Sequence, residues 1–174
     1  MTFMELACNR YSERHFDSRP VEDEKLQKIL EAGRIAPTAC NYQPQRIYVL
    51  KSPDALEKAR RTKASLYSCP LVLLVCYDSE TVWKNPGDRC YELYNAGEQD
   101  ASIVAAIMMF EAEDLGIHSL WIRGFDSRSV IDTFELPANH IPVMMLALGY
   151  PSEDSRPAHL HAKRKPLDET VIVL

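Results

Sequence analysis

Basic and hydroxyl side chains cluster near the start of this acidic chain, in the stretch RYSERHF at residues 10–16. Arg10 and Arg14 offer guanidinium groups and Ser12 offers a hydroxyl, so one short segment carries several donors for an anion. Arg164, near the other end of the chain, could add another guanidinium. Because the formal net charge is -5, an anion must be held locally rather than by the overall field. The pattern predicts an anion site, with a solvated basic surface as the alternative.

A proline-punctuated stretch, APTACNYQPQ at residues 36–45, offers a second set of polar groups. Proline stiffens the loop on both sides of side chains that can donate and accept hydrogen bonds, namely Thr38, Asn41 and Gln43. Such groups suit the alternating donors and acceptors at the edge of a planar heterocycle. The alternative is a loop whose side chains satisfy its own backbone.

The composition is that of an ordinary globular protein, and 174 residues predict a single domain over 1–174. A sequence pI of about 5.5 gives no general electrostatic support for binding nucleic acid. The five cysteines are odd in number and form no CxxC pair, so neither a disulfide framework nor a zinc site is predicted. No secretory signal is evident, and the most apolar stretch, at 101–110, is too short to span a membrane. We therefore expect a protein of the reducing cytoplasm that binds no metal ion.

Apolar periodicity predicts the order of the elements. Helices are expected at 21–33, from Ser52 onward, at 92–115 and at 127–135, with strands at 46–50, 70–77, 118–122, 143–150 and in the terminal ETVIVL. The helix at 92–115 is apolar nearly all round, which is typical of a subunit interface or of the centre of a fold. The terminal strand must pair somewhere, because an apolar strand with an open edge is rarely left exposed.

Four segments, in this order and spacing, together resemble the family of FMN-dependent nitroreductase-like proteins. RYSERHF is similar to the family's RRSxRxF opening, and residues 36–50 are similar to its APSxxNxQPWxFxVV stretch, although Gln45 replaces the tryptophan that often follows QP. Residues 100–125 resemble its central helix, glycine turn and flavin-facing strand. ALGYPSED followed by KRKPLDE resembles its last core strand and basic tail.

The resemblance implies an FMN site in which Arg10, Ser12, Arg14 and Arg164 hold the phosphate and ribityl chain. Lys63 lies where relatives often place a lysine near the flavin pyrimidine, but it could equally belong to an ordinary basic helix end. Gly124 would let the backbone approach flavin N5, and Arg123 could narrow the pocket, favour an anionic substrate or simply lie in a turn. The full implied set is Arg10, Tyr11, Ser12, Arg14, Pro37, Thr38, Asn41, Gln43, Lys63, Arg123, Gly124 and Arg164.

The resemblance also implies a fold and an activity. The fold would be α+β, with a central, mostly antiparallel sheet flanked by helices and a C-terminal strand exchanged in a homodimer. The activity would be ping-pong hydride transfer from NAD(P)H through flavin N5 to nitroaromatics, quinones or related electrophiles, with no catalytic side chain. Two alternatives stay open: a flavin-binding sensor or carrier without efficient turnover, and a cofactor-free enzyme using Cys40 or Cys90 as nucleophile.

Overall fold

The computed structural model describes residues 1–90 and 94–174. Its helices are α1 (Phe3–Asn9), α2 (Asp23–Ile35), α3 (Pro53–Arg61), α4 (Gly97–Asp114), α5 (Ser127–Phe134) and α6 (Leu167–Thr170). Its strands are β1 (Gln45–Leu50), β2 (Leu71–Asp78), β3 (Lys84–Asn85), β4 (Tyr94–Asn95), β5 (His118–Ile122) and β6 (His140–Gly149). A single turn of 3-10 helix covers Ala39–Asn41.

The main sheet has the strand order β1-β2-β6-β5, and every neighbouring pair in it is antiparallel. The remaining two strands, β3 and β4, form a separate short ribbon. The expected α+β architecture with an antiparallel sheet flanked by helices is therefore confirmed. Because β1 and β5 are the two outer strands, segments attached to them lie at opposite edges of the sheet.

Helices cover both faces of this sheet. Alternate residues of β2 point to opposite sides, so Leu73 packs in the core beneath α2 and α4, whereas Leu74 packs in the core beneath α3 and α5. A strand buried on both faces must be apolar at every position, which explains the continuous apolar run that predicts it. The α3 start also follows the sequence signals, since Ser52 Oγ accepts the N–H of Ala55 and Pro53 is the first helical residue.

The long helix α4 begins later than expected. The predicted start at residue 92 lies outside the described residues, and Tyr94–Asn95 forms the strand β4 before α4 begins at Gly97. One face of the helix is buried, with eight of its 18 residues in the interior, whereas Ile103 and Ile107 remain 41% and 37% exposed on another side. This outer stripe is continued by α1, whose Phe3 ring lies 5.3 Å from that of Phe110.

The two ends of the chain differ from expectation. At the start, α1 was not predicted, although Thr2 and Glu5 form the reciprocal bonds of a capping box and the T-x-x-E spacing is visible in the sequence. At the end, Glu169 and Thr170 of the predicted ETVIVL strand belong instead to α6, and the last four residues pair with no described strand of this chain. Those four residues, 171–174, are exposed. In the described part of the chain, no helix combines the length and apolarity needed to cross a membrane.

Candidate functional site

The segment at residues 10–16 lies along the outer edge of β5. Ser12 forms a parallel bridge with Ser119, and the N–H of Glu13 donates to the carbonyl of Ser119 at 3.1 Å. Further on, Phe16 bridges to Pro151, directly after β6. The predicted anion-binding segment is thus held by backbone hydrogen bonds beside a core strand, with Glu13 buried and Arg14 and His15 exposed.

A pocket of about 200 Å³ opens where β5 ends. It is lined by Arg14 together with Trp121, Arg123 and Gly124, and by Ser65 and Tyr67 from the segment after α3. Three of the predicted cofactor-binding residues, Arg14, Arg123 and Gly124, are therefore brought together, although Arg14 is more than 100 positions from the other two in the sequence. An added Cβ on Gly124 would meet no atom within 4 Å, so its backbone is open to a ligand.

Lys63 lies on the same side of the sheet as this pocket. The carbonyl of Thr62 accepts the N–H of Asp126 at 3.0 Å, which joins the end of α3 to the turn after β5. Lys63 follows immediately, exposed and in a left-handed conformation with φ of 67°. A strained conformation at a non-glycine residue costs free energy that the surrounding structure must offset, and such residues cluster at functional sites.

The other predicted anion ligands lie at the opposite end of the 10–16 segment. Burial raises the pKa of Glu113 near the end of α4, and the nearby Arg10 guanidinium partly offsets this effect. Arg164 does not reach the pocket, because its guanidinium bonds to the carbonyls of His161 and Lys163 in its own segment. The tail nevertheless adjoins the start of the chain, since His161 Nε2 lies 2.9 Å from the carbonyl oxygen of Cys8.

These placements divide the candidate site into two parts along β5. Ser12 lies beside Ser119, and the pocket lining begins at the next residue, Leu120, and extends to Gly124. Arg14 connects the two parts, because its Nη1 donates to the carbonyl of Ser12 at 3.2 Å. At roughly 3.3 Å per residue of strand, Ile122 lies about 10 Å beyond Ser119. One part offers Arg10, Ser12 and the adjoining tail, and the other offers Arg14, the two exposed aromatic rings and the open backbone at Gly124.

Glu13 is a functional residue that sequence analysis missed. Its carboxylate is 0% exposed, and Oε1 accepts the backbone N–H groups of Arg14 at 2.9 Å and His15 at 2.7 Å. Ser155 donates to Oε2 at 2.5 Å, and His118 Nδ1 lies 3.1 Å from the same oxygen. Burial alone would raise the pKa of Glu13, but the hydrogen bonds from Ser155, His15 and Arg14 outweigh it and hold the pKa below its ordinary value.

Tyr11 belongs to the same buried network. Because the Ser155 hydroxyl donates to Glu13, the Tyr11 hydroxyl donates in turn to Ser155 Oγ at 2.7 Å. Burial raises the pKa of Tyr11. Tyr11 and Glu13 therefore join the 10–16 segment to the tail, and the side-chain hydroxyl of Tyr11 is already used inside the chain. In the sequence, the feature that points to this network is the acidic residue Glu13, which lies among the basic residues of RYSERHF.

The predicted loop residues Pro37, Thr38, Asn41 and Gln43 lie elsewhere. This loop precedes β1, at the far edge of the sheet from β5, and it packs on the α2 and α4 side. Three strand spacings separate the edges, about 14 Å at 4.7–4.9 Å each. Within the loop, Thr38 Oγ1 accepts the N–H of Gln43 at 3.0 Å, and the side chains of Asn41 and Gln43 are exposed. Within one chain, the loop before β1 therefore does not reach the pocket at the end of β5.

Asp100, an acidic residue in the first turn of α4, is buried and only 2% exposed. Its Oδ1 accepts the N–H of Ala39 at 2.8 Å, while its Oδ2 is buried without a partner among the described residues. The bond ties the first turn of α4 to the loop, in which Cys40, Asn41 and Gln43 have φ values of 48°, 58° and 51°. The structure therefore uses a buried carboxylate to hold a strained loop.

Comparison with known proteins identifies the family. A sequence model of the nitroreductase family matches residues 7–67 and 57–150. Among solved structures, the chain is similar to a nitroreductase family protein from Clostridium difficile 630, with 40% identity, coverage of 99% of this chain and 98% of that chain, and a TM-score of 0.90. Among sequence relatives, the NADH dehydrogenase of Thermus thermophilus is 28% identical over 196 residues, covering 95% of this chain and 93% of that protein.

A more distant structure shares the fold. The FMN-dependent nitroreductase of Clostridium difficile R20291 has 24% identity and a TM-score of 0.74, with 90% of this chain and 91% of that chain covered. The family expected from the four sequence segments is confirmed, since the matched residues include the 10–16 segment, the loop before β1 and the end of β5. The chain belongs to the nitroreductase family and is an oxidoreductase.

Proposed function

We propose that this chain is an FMN-dependent oxidoreductase that uses NAD(P)H to reduce nitroaromatics, quinones or related electrophiles by a ping-pong reaction. It would work as a single domain in a cytoplasmic homodimer, a setting supported by its five unpaired thiols. The observation that carries the proposal is the two-part site along β5, where a pocket with exposed aromatic walls adjoins the hydroxyl and guanidinium donors of the 10–16 segment. FMN needs such a division, because a ribityl chain separates its ring from its phosphate.

The residues of the pocket fit the ring of FMN. Trp121 and Tyr67 are 40% and 44% exposed and offer flat apolar surface, while Gly124 leaves its backbone open. Arg14 at the same pocket, with Lys63 on the neighbouring segment, can stabilise the negative charge of a reduced ring. At the other end, Arg10 and Ser12 would hold the phosphate, and Arg164 would join them by turning from its own carbonyls.

The separated loop supports a dimer. Pro37, Thr38, Asn41 and Gln43 lie at the β1 edge, so they can complete a flavin site only if it belongs to a second subunit. The apolar stripe of Ile103 and Ile107 on α4, extended by Phe3 and Met4 on α1, supplies a surface for that contact. We further propose that residues 171–174, exposed and unpaired here, add as a strand to the sheet of the partner.

The bound flavin would supply hydride transfer at N5, which no side chain can provide. The chain itself would orient the two substrates and shape the electrostatics of the pocket. With a nitroaromatic, the net reaction consumes one NAD(P)H and one proton, converts the nitro group to a nitroso group, and releases NAD(P)⁺ and water. No acid or base need lie at the pocket, and none of its lining side chains is a carboxylate or histidine among the described residues.

The test begins with the protein as purified. We expect a yellow protein that releases FMN on denaturation and that is bleached by NADH or NADPH in stopped flow before an electrophile restores the colour. Arg14→Ala and Arg164→Ala should each raise the FMN dissociation constant about 10- to 100-fold, because each removes a charge-assisted interaction. Arg128→Ala is the control, since Arg128 is 81% exposed and pairs with Asp132 on α5.

The outcomes separate the alternatives. A colourless protein that binds no added FMN would overturn the proposal, and inactivation by a thiol reagent would then favour a nucleophilic cysteine. A yellow protein that NADH and NADPH fail to bleach would be a carrier or sensor. Unchanged FMN affinity in both arginine variants would show that these two residues do not hold the cofactor. The stopped-flow measurement would still decide whether the protein is an oxidoreductase of the proposed kind.

A further inference from the structure

We propose that Arg123 makes this enzyme prefer electron acceptors that carry a negative charge, specifically aromatic carboxylates; this inference rests on the function proposed above. The preference would arise from an ion pair between the Arg123 guanidinium and a carboxylate that takes no part in the redox step.

The pocket at the end of β5 carries two positive charges and no negative one. Arg14 and Arg123 both line it, and no lining residue in the described part of the chain is acidic. Neither arginine takes part in any ion pair within residues 1–90 and 94–174. The acid nearest Arg123 along the chain, Asp126, accepts the N–H of Ser129 at 2.8 Å and so caps α5. The acid nearest Arg14, Glu13, is buried and accepts the backbone N–H groups of Arg14 and His15. The pocket is therefore built to attract anions.

The two arginines occupy different sides of the pocket. Arg14 turns back to donate to the carbonyl of Ser12 at 3.2 Å, so it stays with the 10–16 segment that is assigned to the cofactor. Arg123 points toward α5, where its guanidinium carbon lies 5.0 Å from the centre of the Phe125 ring and its Nη1 only reaches Ser127 Oγ at 3.5 Å. An arginine has five N–H donors, so nearly all of those on Arg123 are free for a ligand.

The aromatic walls define the rest of the ligand. Trp121 and Tyr67 are both exposed at the pocket and would hold the flavin ring, whose free face would favour a flat electron acceptor. A neutral aromatic acceptor would gain this stacking alone, whereas an aromatic carboxylate would gain a charge-assisted hydrogen bond in addition. Arg14, which also lines the pocket, is assigned to the flavin. The charge of Arg123 remains for the second ligand.

The test compares two acceptors that differ in one group, para-nitrobenzoate and para-nitrobenzamide. Their dissociation constants are measured by calorimetry with the oxidised holoprotein and no NAD(P)H, and their kcat/KM values are measured separately with NAD(P)H. The variant is Arg123→Gln, which keeps a polar side chain of similar length without the charge. The control is Arg128→Gln, which removes an exposed positive charge from the neighbouring helix.

We expect the native protein to bind the carboxylate about five- to twentyfold more tightly than the amide. This preference lies between the contribution to binding of an exposed ion pair and that of a charge-assisted hydrogen bond. The preference should disappear in Arg123→Gln, survive in Arg128→Gln, and shrink as the salt concentration is raised to about 0.5 M. Equal binding of both acceptors by the native protein, or an unchanged preference in Arg123→Gln, would overturn the inference.

The binding measurement also separates this inference from the proposed function. Because it needs no turnover, it decides the role of Arg123 even if NAD(P)H fails to reduce either acceptor. An Arg123-dependent preference without any reduction would count against the redox function and uphold the anion site. Reduction of both acceptors with the same kcat/KM would uphold the redox function and reject the role of Arg123.

Discussion

Glu13→Gln removes a buried charge next to the proposed cofactor site while keeping the size of the side chain. In the native chain, one carboxylate oxygen accepts the N–H groups of Arg14 and His15, and the other accepts the hydroxyl of Ser155 beside His118. The amide oxygen of glutamine can keep the two backbone bonds. Its NH₂ group, however, would face the Ser155 hydroxyl, which is already the acceptor of the Tyr11 hydroxyl.

The magnitude follows from this geometry. A hydrogen bond to a charged group is worth roughly 1.5–3 kcal/mol. Because glutamine retains about half of the bonds, we expect the free energy of unfolding to fall by about 2–4 kcal/mol at neutral pH. The carboxylate is 0% exposed, so solvent does not screen these interactions.

The loss should depend on pH with a defined sign. Since the pKa of Glu13 is lower in the folded chain than in the unfolded one, its contribution is complete above the unfolded value, near pH 4.3. It disappears as the pH falls through the folded pKa. The difference in stability between the native protein and Glu13→Gln should therefore be constant from about pH 6 to 8 and shrink below about pH 4.

The assay is urea unfolding followed by circular dichroism at several pH values, with FMN affinity measured in parallel. Because Glu13 fixes the backbone of Arg14, we also expect weaker FMN binding. Glu153→Gln is the control, since Glu153 is exposed in the same tail and should change stability by less than about 0.5 kcal/mol. A change below about 1 kcal/mol for Glu13→Gln, or a difference that does not vary with pH, would refute the role assigned to this carboxylate.

Three further substitutions or treatments test other parts of the structure. Gly97→Ala should destabilise the protein by more than about 2 kcal/mol in thermal unfolding, because the added Cβ would lie 2.4 Å from the ring of Tyr77. Ile107→Glu should shift the protein toward monomers in analytical ultracentrifugation and lower its FMN content, because a charge would be placed in the proposed subunit contact. A thiol reagent at pH 8 should spare Cys69 and Cys76, since burial raises the pKa of these thiols to about 11 and about 12. It should label the exposed thiols Cys8, Cys40 and Cys90 quickly.

The elements that local patterns determine were predictable from the sequence. The apolar run predicted β2 and the Ser52-Pro53 pair predicted the start of α3 at the correct positions. Burial on both faces requires apolar residues, and helix capping favours particular residues, so both can be recognised from residue type. The start of α4 was predicted too early, since apolar periodicity does not register the short strand β4 before Gly97. The T-x-x-E capping box of α1 was present in the sequence and was overlooked.

The candidate site was predictable as a set of segments but not as an arrangement. Motif order alone identified the 10–16 segment, the loop before β1 and the end of β5, and the family match covers all three. The roles of Glu13 and Asp100 were missed, because an acid in a sequence reads as solvated until the structure shows which N–H groups surround it. Whether a side chain is buried, and which groups it bonds to, depends on residues that are far away in the sequence.

The sequence by itself determined the family, the antiparallel α+β core and the residue types that can hold a phosphorylated flavin. Only the tertiary structure decided that Arg14, Arg123 and Gly124 share one pocket while the loop of Asn41 lies across the sheet. The physical reason is that strand order, not sequence distance, sets which segments meet. A four-stranded sheet puts β1 and β5 at opposite edges, so the loop before β1 and the pocket at the end of β5 do not meet within one chain.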